Sequence, residues 1–178
     1  MPPASSDHQS LRNAVRDIPD FPKPGILFKD ITPLLANPVT FRLALDGFVD
    51  RWKTEGINKV VGIESRGFLF AAPLADRLGA GLVIVRKPGK LPYRTLKEQY
   101  ELEYGFDSVH LHEDAISRGE RALIVDDVIA TGGTAAAVGR LVKRLGGQVI
   151  GYSFLIELAA LKGTQKLEGA TTFALLHY

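Results

Sequence analysis

From Arg121 to Thr134 the chain reads RALIVDDVIATGGT, and few architectures accept that order of residues. Ala122 to Val125 is a continuous apolar run, the pattern of a strand buried on both faces of a parallel sheet. Asp126 and Asp127 follow where that strand is expected to end. Thr131-Gly132-Gly133-Thr134 is small and flexible and opens into a helix expected over 134–145. Lys143 and Arg144 in its last turn and Gly146 beyond suit a helix C-terminus. Strand, glycine-bearing turn and helix start together make an anion site. The first helical turn leaves backbone N–H groups unpaired, and the aligned peptide dipoles place about half a positive charge there.

The same stretch excludes two common phosphate loops. A Walker loop needs a Lys after its last glycine, where this chain has Thr134. A dinucleotide fingerprint needs G-x-G-x-x-G after the strand, and that spacing is absent. Two acids beside a cradle for one phosphate remain. Carboxylates repel phosphate but accept hydrogen bonds from sugar hydroxyls or attract Mg²⁺, so the stretch suits a sugar phosphate with free hydroxyls. An ordinary βα turn is the alternative, but paired acids at a strand end rarely serve packing.

At 178 residues, 46% of them hydrophobic and 24% charged, the chain is expected to form one globular domain over residues 1–178. A net charge of +2 gives no argument for a nucleic-acid or membrane partner. The absence of cysteine excludes disulfides and thiolate metal sites. No apolar run approaches a membrane span, and the N-terminus has no signal-peptide core, so a cytoplasmic protein is expected.

Residues 1–7 read as a frayed end. Leu11, Val15 and Ile18 recur at helical spacing, predicting a short amphipathic helix stopped by Pro19. In residues 20–35 Pro22, Pro24 and Gly25 oppose regular structure, yet Phe21, Ile26, Leu27 and Phe28 must pack on something, as a cap on the core or the wall of a pocket. Asn37-Pro38 starts a helix with a core stripe of Phe41, Leu45, Phe48, Val49 and Trp52. A strand over 59–63, a helix over 68–78 and a strand over 82–85 make a βαβ unit with a parallel pair. Glu64-Ser65-Arg66-Gly67 lies in its first turn and has the wrong spacing for a hydrolase elbow. Residues 88–105 predict an 18-residue connection without regular structure, which reads as a mobile lid loop. Residues 108–113 alternate as a half-buried strand; its His110-x-His112 reads as an exposed face more readily than as a metal pair. Strands over 148–155 and 172–176, with a turn and short helix at 158–167, complete an α/β chain: a central, mostly parallel twisted sheet flanked by helices.

In an open parallel sheet the binding crevice lies beyond the carboxyl ends of the strands. Residues 64–67, 86 onward and 126–134 are expected to meet there. Arg66, Arg86, Lys87 and Lys90 then face the crevice that holds the phosphate cradle. Four cations make a second, polyanionic site, with the acids between the two.

The Arg121–Thr134 stretch resembles the 5-phosphoribosyl-1-pyrophosphate (PRPP) signature of the type I phosphoribosyltransferase family. DFPKPGILFKDI, GIESRGFLF, VRKPGKLP, YELEYG and IELAALKG, in that order, make the chain similar to the members that act on adenine, from about Leu11 onward. The resemblance implies the family fold, with a small N-terminal hood over residues 20–35 and a flexible catalytic loop at 88–105. It implies transfer of the phosphoribosyl group from PRPP to adenine, giving AMP and pyrophosphate, with Mg²⁺ carried mainly by PRPP rather than by direct protein ligands. A homodimer is implied too, with no nucleic-acid or membrane partner.

Carried onto this chain, the resemblance assigns Asp126 and Asp127 to the ribose hydroxyls. It assigns Ala130, Thr131, Gly132, Gly133 and Thr134 to the 5′-phosphate. Ser65 and Arg66 fall in the pyrophosphate loop, which in such enzymes often carries a non-proline cis peptide, and Arg86, Lys87 and Lys90 serve the same side. Phe28, the Leu27 backbone and Leu158 border the base. Lys29 stands beside them where many relatives have Arg, a change expected to weaken any bidentate contact. Glu103 is the implied acid/base, with Tyr104 beside it. Ala130 occupies a position where enzymes for 6-oxopurines usually carry an acid, which favours adenine. A PRPP-binding regulator is the rival reading; the roughly twenty residues before Phe21 are too few for a DNA-binding module.

Overall fold

The computed structural model describes residues 5–101, 105–167 and 169–178. The chain divides into two compact units, Met1–Arg51 and Trp52–Tyr178.

The first unit contains α1 (Ser5–Asn13), β1 (Arg16–Pro19), β2 (Leu27–Asp30), α2 (Thr32–Ala36) and α3, which runs Pro38–Trp52 into the second. α1 begins inside the stretch read as frayed and stops short of Val15 and Ile18. Ile18 instead lies in a strand, opposite Phe28 in an antiparallel ladder. The helical spacing misled because both side chains are β-branched and fit a strand at least as well. Cross-strand ion pairs then fix the ladder: Arg16 to Asp30 at 2.6 Å and Lys29 to Asp17 at 2.6 Å. The Pro-rich stretch between β1 and β2 is irregular, as its composition predicts, and its Phe21–Pro22 bond is cis. α3 starts at the predicted place, with Asn37 Oδ1 accepting the Val39 N–H at 2.9 Å.

The second unit is built on a five-stranded parallel sheet. Its strands are β3 (Lys59–Ile63), β4 (Gly81–Val85), β7 (Arg121–Ile129), β8 (Gln148–Glu157) and β9 (Thr171–His177), in the order β4-β3-β7-β8-β9. α4 (Gly67–Leu78) connects β3 to β4, and α5 (Gly133–Arg144) connects β7 to β8. Val61, Ile63, Val85 and Ile124 from the strands pack with Val138 and Leu141 of α5 in one buried cluster. Burying each such side chain contributes roughly 1.5–3 kcal/mol, which accounts for the apolar runs legible in the sequence. Trp52, 1% exposed, donates from Nε1 to Ser153 Oγ at 3.0 Å and fills the space over Gly151.

In this second unit β7 and β5 (Thr95–Glu101) differ from expectation. β7 does not end at Val125: pairing with β8 continues through Asp126 to Ile129, so both acids lie within a strand. Backbone pairing to a long neighbour carried the strand past the change in polarity. The second half of the expected irregular connection is also a strand. β5 pairs antiparallel with β6 (Phe106–His112). Its charged face is held by α5, where Arg140 and Arg144 meet Glu98 at 2.7 and 2.9 Å. Tyr100, two residues on and on the same face as Glu98, is buried in the core, while Lys97, Gln99 and Glu101 face outward. Val109 and Leu111 of β6 point inward as predicted.

Candidate active site

The carboxyl ends of β3, β4, β7 and β8 bring together most of the sequence-predicted residues. β7 delivers Asp126 and Asp127, then Ala130 to Thr134, the turn into α5. Gly132 caps that helix with φ +77, a conformation that L side chains rarely adopt, and no side chain caps the first turn. Residues 128–135, Asp126 and Phe154 line a pocket of about 110 Å³. That is room for several waters at about 30 Å³ each. The pocket's chemistry is that of an uncapped helix start, which favours an anion.

The loop is backed by a second backbone. A Cβ on Gly132 would stand 2.1 Å from the Gly163 carbonyl oxygen, and one on Gly163 would stand 2.2 Å from that of Ala130. Gly163 opens a 3-10 turn, Gly163–Lys166, after a first such turn, Ala159–Leu161. Leu158 N–H donates to the Ile129 carbonyl at 3.0 Å, so the predicted Leu158 sits beside the start of the phosphate loop.

Asp127 is 4% exposed and Asp126 is half-buried. Burial, and then the neighbouring Asp127 charge, push the Asp126 carboxyl well above the usual range. Burial pushes Asp127 up as well, against the pull of Arg66. Arg66 Nε lies 2.7 Å from Asp127 Oδ2, close enough for an ion pair, yet that oxygen has no aligned hydrogen bond. Asp126 Oδ1 accepts the Asp127 N–H at 2.8 Å. Among the described residues no group of three His, Asp or Glu forms a metal cage, His110 and His112 included.

On the other side of the crevice three of the expected cations, Arg66, Arg86 and Lys87, have an acid. The Glu64–Ser65 peptide is cis, and Arg66 stands at the start of α4. Arg86 Nη2 meets Glu64 Oε1 at 2.9 Å, while Arg86 Nη1 donates to the Lys90 carbonyl at 3.1 Å. Glu64 Oε2 accepts the Lys87 N–H at 2.7 Å. Arg86 first, then that N–H, hold the Glu64 carboxyl below its ordinary value. Lys87 Nζ is ion-paired with Asp107 and donates to the Tyr100 hydroxyl at 2.8 Å.

Sequence reading missed four participants: Glu64, Tyr100, Asp107 and Gly163. Glu64 adjoins Ser65-Arg66 and was the most accessible of these; the others depend on the β5–β6 pairing and on loop contacts far apart in sequence. Leu27, Phe28 and Lys29 belong to the first unit. There Phe28 makes an edge contact with Phe21 at 5.1 Å, and Lys29 is taken up by Asp17. Glu103 and Tyr104 lie outside the described residues.

Comparison with known proteins agrees with this geometry. Residues 48–169 match the phosphoribosyl transferase domain family. An adenine phosphoribosyltransferase of Anaeromyxobacter sp. is 62% identical over 98% of both chains. The crystal structure of the adenine phosphoribosyltransferase from Rhodothermus marinus superposes with a TM-score of 0.94 at 52% identity, covering 98% of this chain and all of that one. The Saccharomyces cerevisiae enzyme, 45% identical over 97% of this chain and 100% of its own, with a TM-score of 0.92, was crystallised with adenine and an imino-altritol bisphosphate.

Proposed function

The chain belongs to the phosphoribosyltransferase family, on its adenine phosphoribosyltransferase branch, and from that premise we infer the reaction. It transfers the 5-phosphoribosyl group of PRPP to adenine, releasing pyrophosphate and forming AMP. The observation that carries the reading is the sequence of sites along one crevice. An uncapped helix start with a small pocket comes first, then two acids, one buried and one half-buried, then a group of cations.

In this reading residues 130–134 hold the 5′-phosphate and Asp126 and Asp127 accept from the ribose hydroxyls. Ser65, Arg66, Arg86, Lys87 and Lys90 hold the diphosphate. The bond from the anomeric carbon to the diphosphate breaks, its electron pair leaving with the diphosphate, while an imidazole nitrogen of adenine bonds to the same carbon. Cations fixed at the leaving group stabilise the charge that develops there, and positioning aligns the nucleophile. Glu103, with Tyr104 beside it, takes the proton that the purine imidazole loses. Leu158, beside the start of the phosphate loop, borders the base.

Mg²⁺ fits the acids in the crevice: a hard cation that keeps several waters and uses one or two carboxylates plus substrate phosphates needs no protein cage. Asp126 and Asp127 are the groups near which it would lie, and when bound it would neutralise phosphate charge. Pairing into a homodimer is supported by the edge of the sheet, where Leu82 and Ile84 of β4 and Leu69 of α4 expose apolar surface. A cytoplasmic site of action belongs to the same reading.

Incubation with PRPP, Mg²⁺ and each common nucleobase, followed by measurement of nucleotide and pyrophosphate, tests the reading. Adenine is expected to turn over. Turnover of guanine or hypoxanthine alone would reject the base assignment, and binding of PRPP without turnover of any base would favour a regulator. Glu103→Gln should lower turnover strongly and leave PRPP binding largely intact.

A further inference from the structure

Lys87 stands two residues beyond Val85, the end of β4, and its ammonium group is engaged from the β5–β6 hairpin. Asp107 of β6 pairs with Nζ, and Tyr100 of β5, directly opposite Asp107 in the ladder, takes a second donor at 2.8 Å. The Tyr100 hydroxyl also donates to Asp107 Oδ2 at 3.0 Å, while Asp107 Oδ1 accepts the Ser108 N–H at 2.7 Å. Backbone bonds of 3.0 and 2.8 Å join Arg86 to His110, so the hairpin is fixed against the end of β4. Apart from Lys87, Asp107 is therefore held by Tyr100 and the Ser108 N–H on a fixed hairpin and cannot easily follow Lys87 elsewhere. The pair itself is reachable: the lysine side chain is 38% exposed and the aspartate 30%.

A lysine ammonium is a compact charge on a flexible stem, able to change acceptors. A diphosphate brings more negative charge than one carboxylate. We propose that Asp107 is an internal competitor for Lys87, a positioning residue on the hairpin that lowers diphosphate affinity by holding this lysine until the anion displaces it. The inference rests on the reading that Lys87 serves the diphosphate. Asp107 has a different origin from Glu64 and Asp127, the acids that pair with Arg86 and Arg66, because those two come from the crevice strands themselves. Burial pulls the Lys87 ammonium down, yet Asp107 and Tyr100 outweigh it and raise the group.

Calorimetric titration of the full chain with inorganic pyrophosphate in Mg²⁺ tests this, beside KM for PRPP. An exposed pair of this kind predicts that Asp107→Asn binds pyrophosphate about fivefold tighter, with a parallel fall in KM. Tyr100→Phe, which keeps the ring, should shift affinity in the same direction by less, and serves if Asp107→Asn does not fold. In a Lys87→Met background Asp107→Asn should change nothing. Unchanged or weaker binding in Asp107→Asn, or an equal gain without Lys87, overturns the proposal. Wild-type protein that binds neither pyrophosphate nor PRPP would instead reject the catalytic reading, and Lys87→Met that binds like wild type would reject the role of Lys87.

Discussion

Residues 130–134 and residues 86–90 leave the same parallel sheet and both suit anions, but they are made of different materials. The first site is backbone: a helix start without a side-chain cap, with Gly132 pressed against Gly163. Its attraction comes from fixed dipoles and is present before any ligand arrives. The second site is side chains, and most of its charge already has a partner: Arg86 on Glu64, Lys87 on Asp107, with Arg66 nearby on Asp127. Binding there is an exchange of partners. A rigid backbone site suits the part of a donor that stays with the product. A site of exchangeable ion pairs suits the part that must leave.

Substitutions can break this contrast. Gly132→Ala should have the largest effect. A Cβ 2.1 Å from the Gly163 carbonyl must shift the loop, and displacement by about 1 Å can lower turnover about a hundredfold. Near-normal turnover in steady-state assays would mean that loop shape is not what holds the phosphate. Asp126→Asn comes next, with turnover down about tenfold and thermal stability raised. The sign follows from the raised carboxyl. Its stabilising effect is present below the ordinary value of 3.8 and is lost as pH rises through the folded-state value. The melting temperature of Asp126→Asn should therefore exceed that of wild type by a margin that widens from pH 4 to pH 8, about 3 °C per kcal/mol relieved.

Arg86→Lys should act less strongly, raising KM for PRPP about fivefold with turnover nearly unchanged, because the forked contact to Glu64 and the Lys90 carbonyl is lost. Salt should give the smallest effect. KM for PRPP should rise modestly with ionic strength, and Arg86→Lys or Lys87→Met should flatten that slope where Gly132→Ala does not. Identical slopes in all variants would erase the distinction between the two sites.

The backbone site was the more legible in sequence. Apolar run, paired acids and T-G-G-T are contiguous, so local pattern encodes both the strand-turn-helix and its anion preference. Even there Asp126 and Asp127 were misplaced by one element, because strand length depends on β8 pairing through Ile129↔Glu157 and not on the polarity of β7 alone. The side-chain site was legible only as a tally of cations. The acids that pair with them come from 20 or more positions away, as Asp107 does to Lys87, and no periodicity links them. β5 was hidden for a related reason. Its alternation is weak until α5 supplies Arg140 and Arg144 for Glu98. In the first unit Ile18 shows the reverse error, a helical spacing that cross-strand pairing overrides.

Trp52 has a consequence of another kind. It is the chain's single tryptophan, is almost wholly buried, and donates its indole N–H to Ser153 of β8. Its emission is therefore a built-in optical probe of the sheet interior, needing no label. Unfolding of the second unit should shift that emission to the red, while ligands taken up at the strand ends leave it nearly unaltered. The same cuvette can thus separate variants that fail to fold from variants that fold and fail to bind.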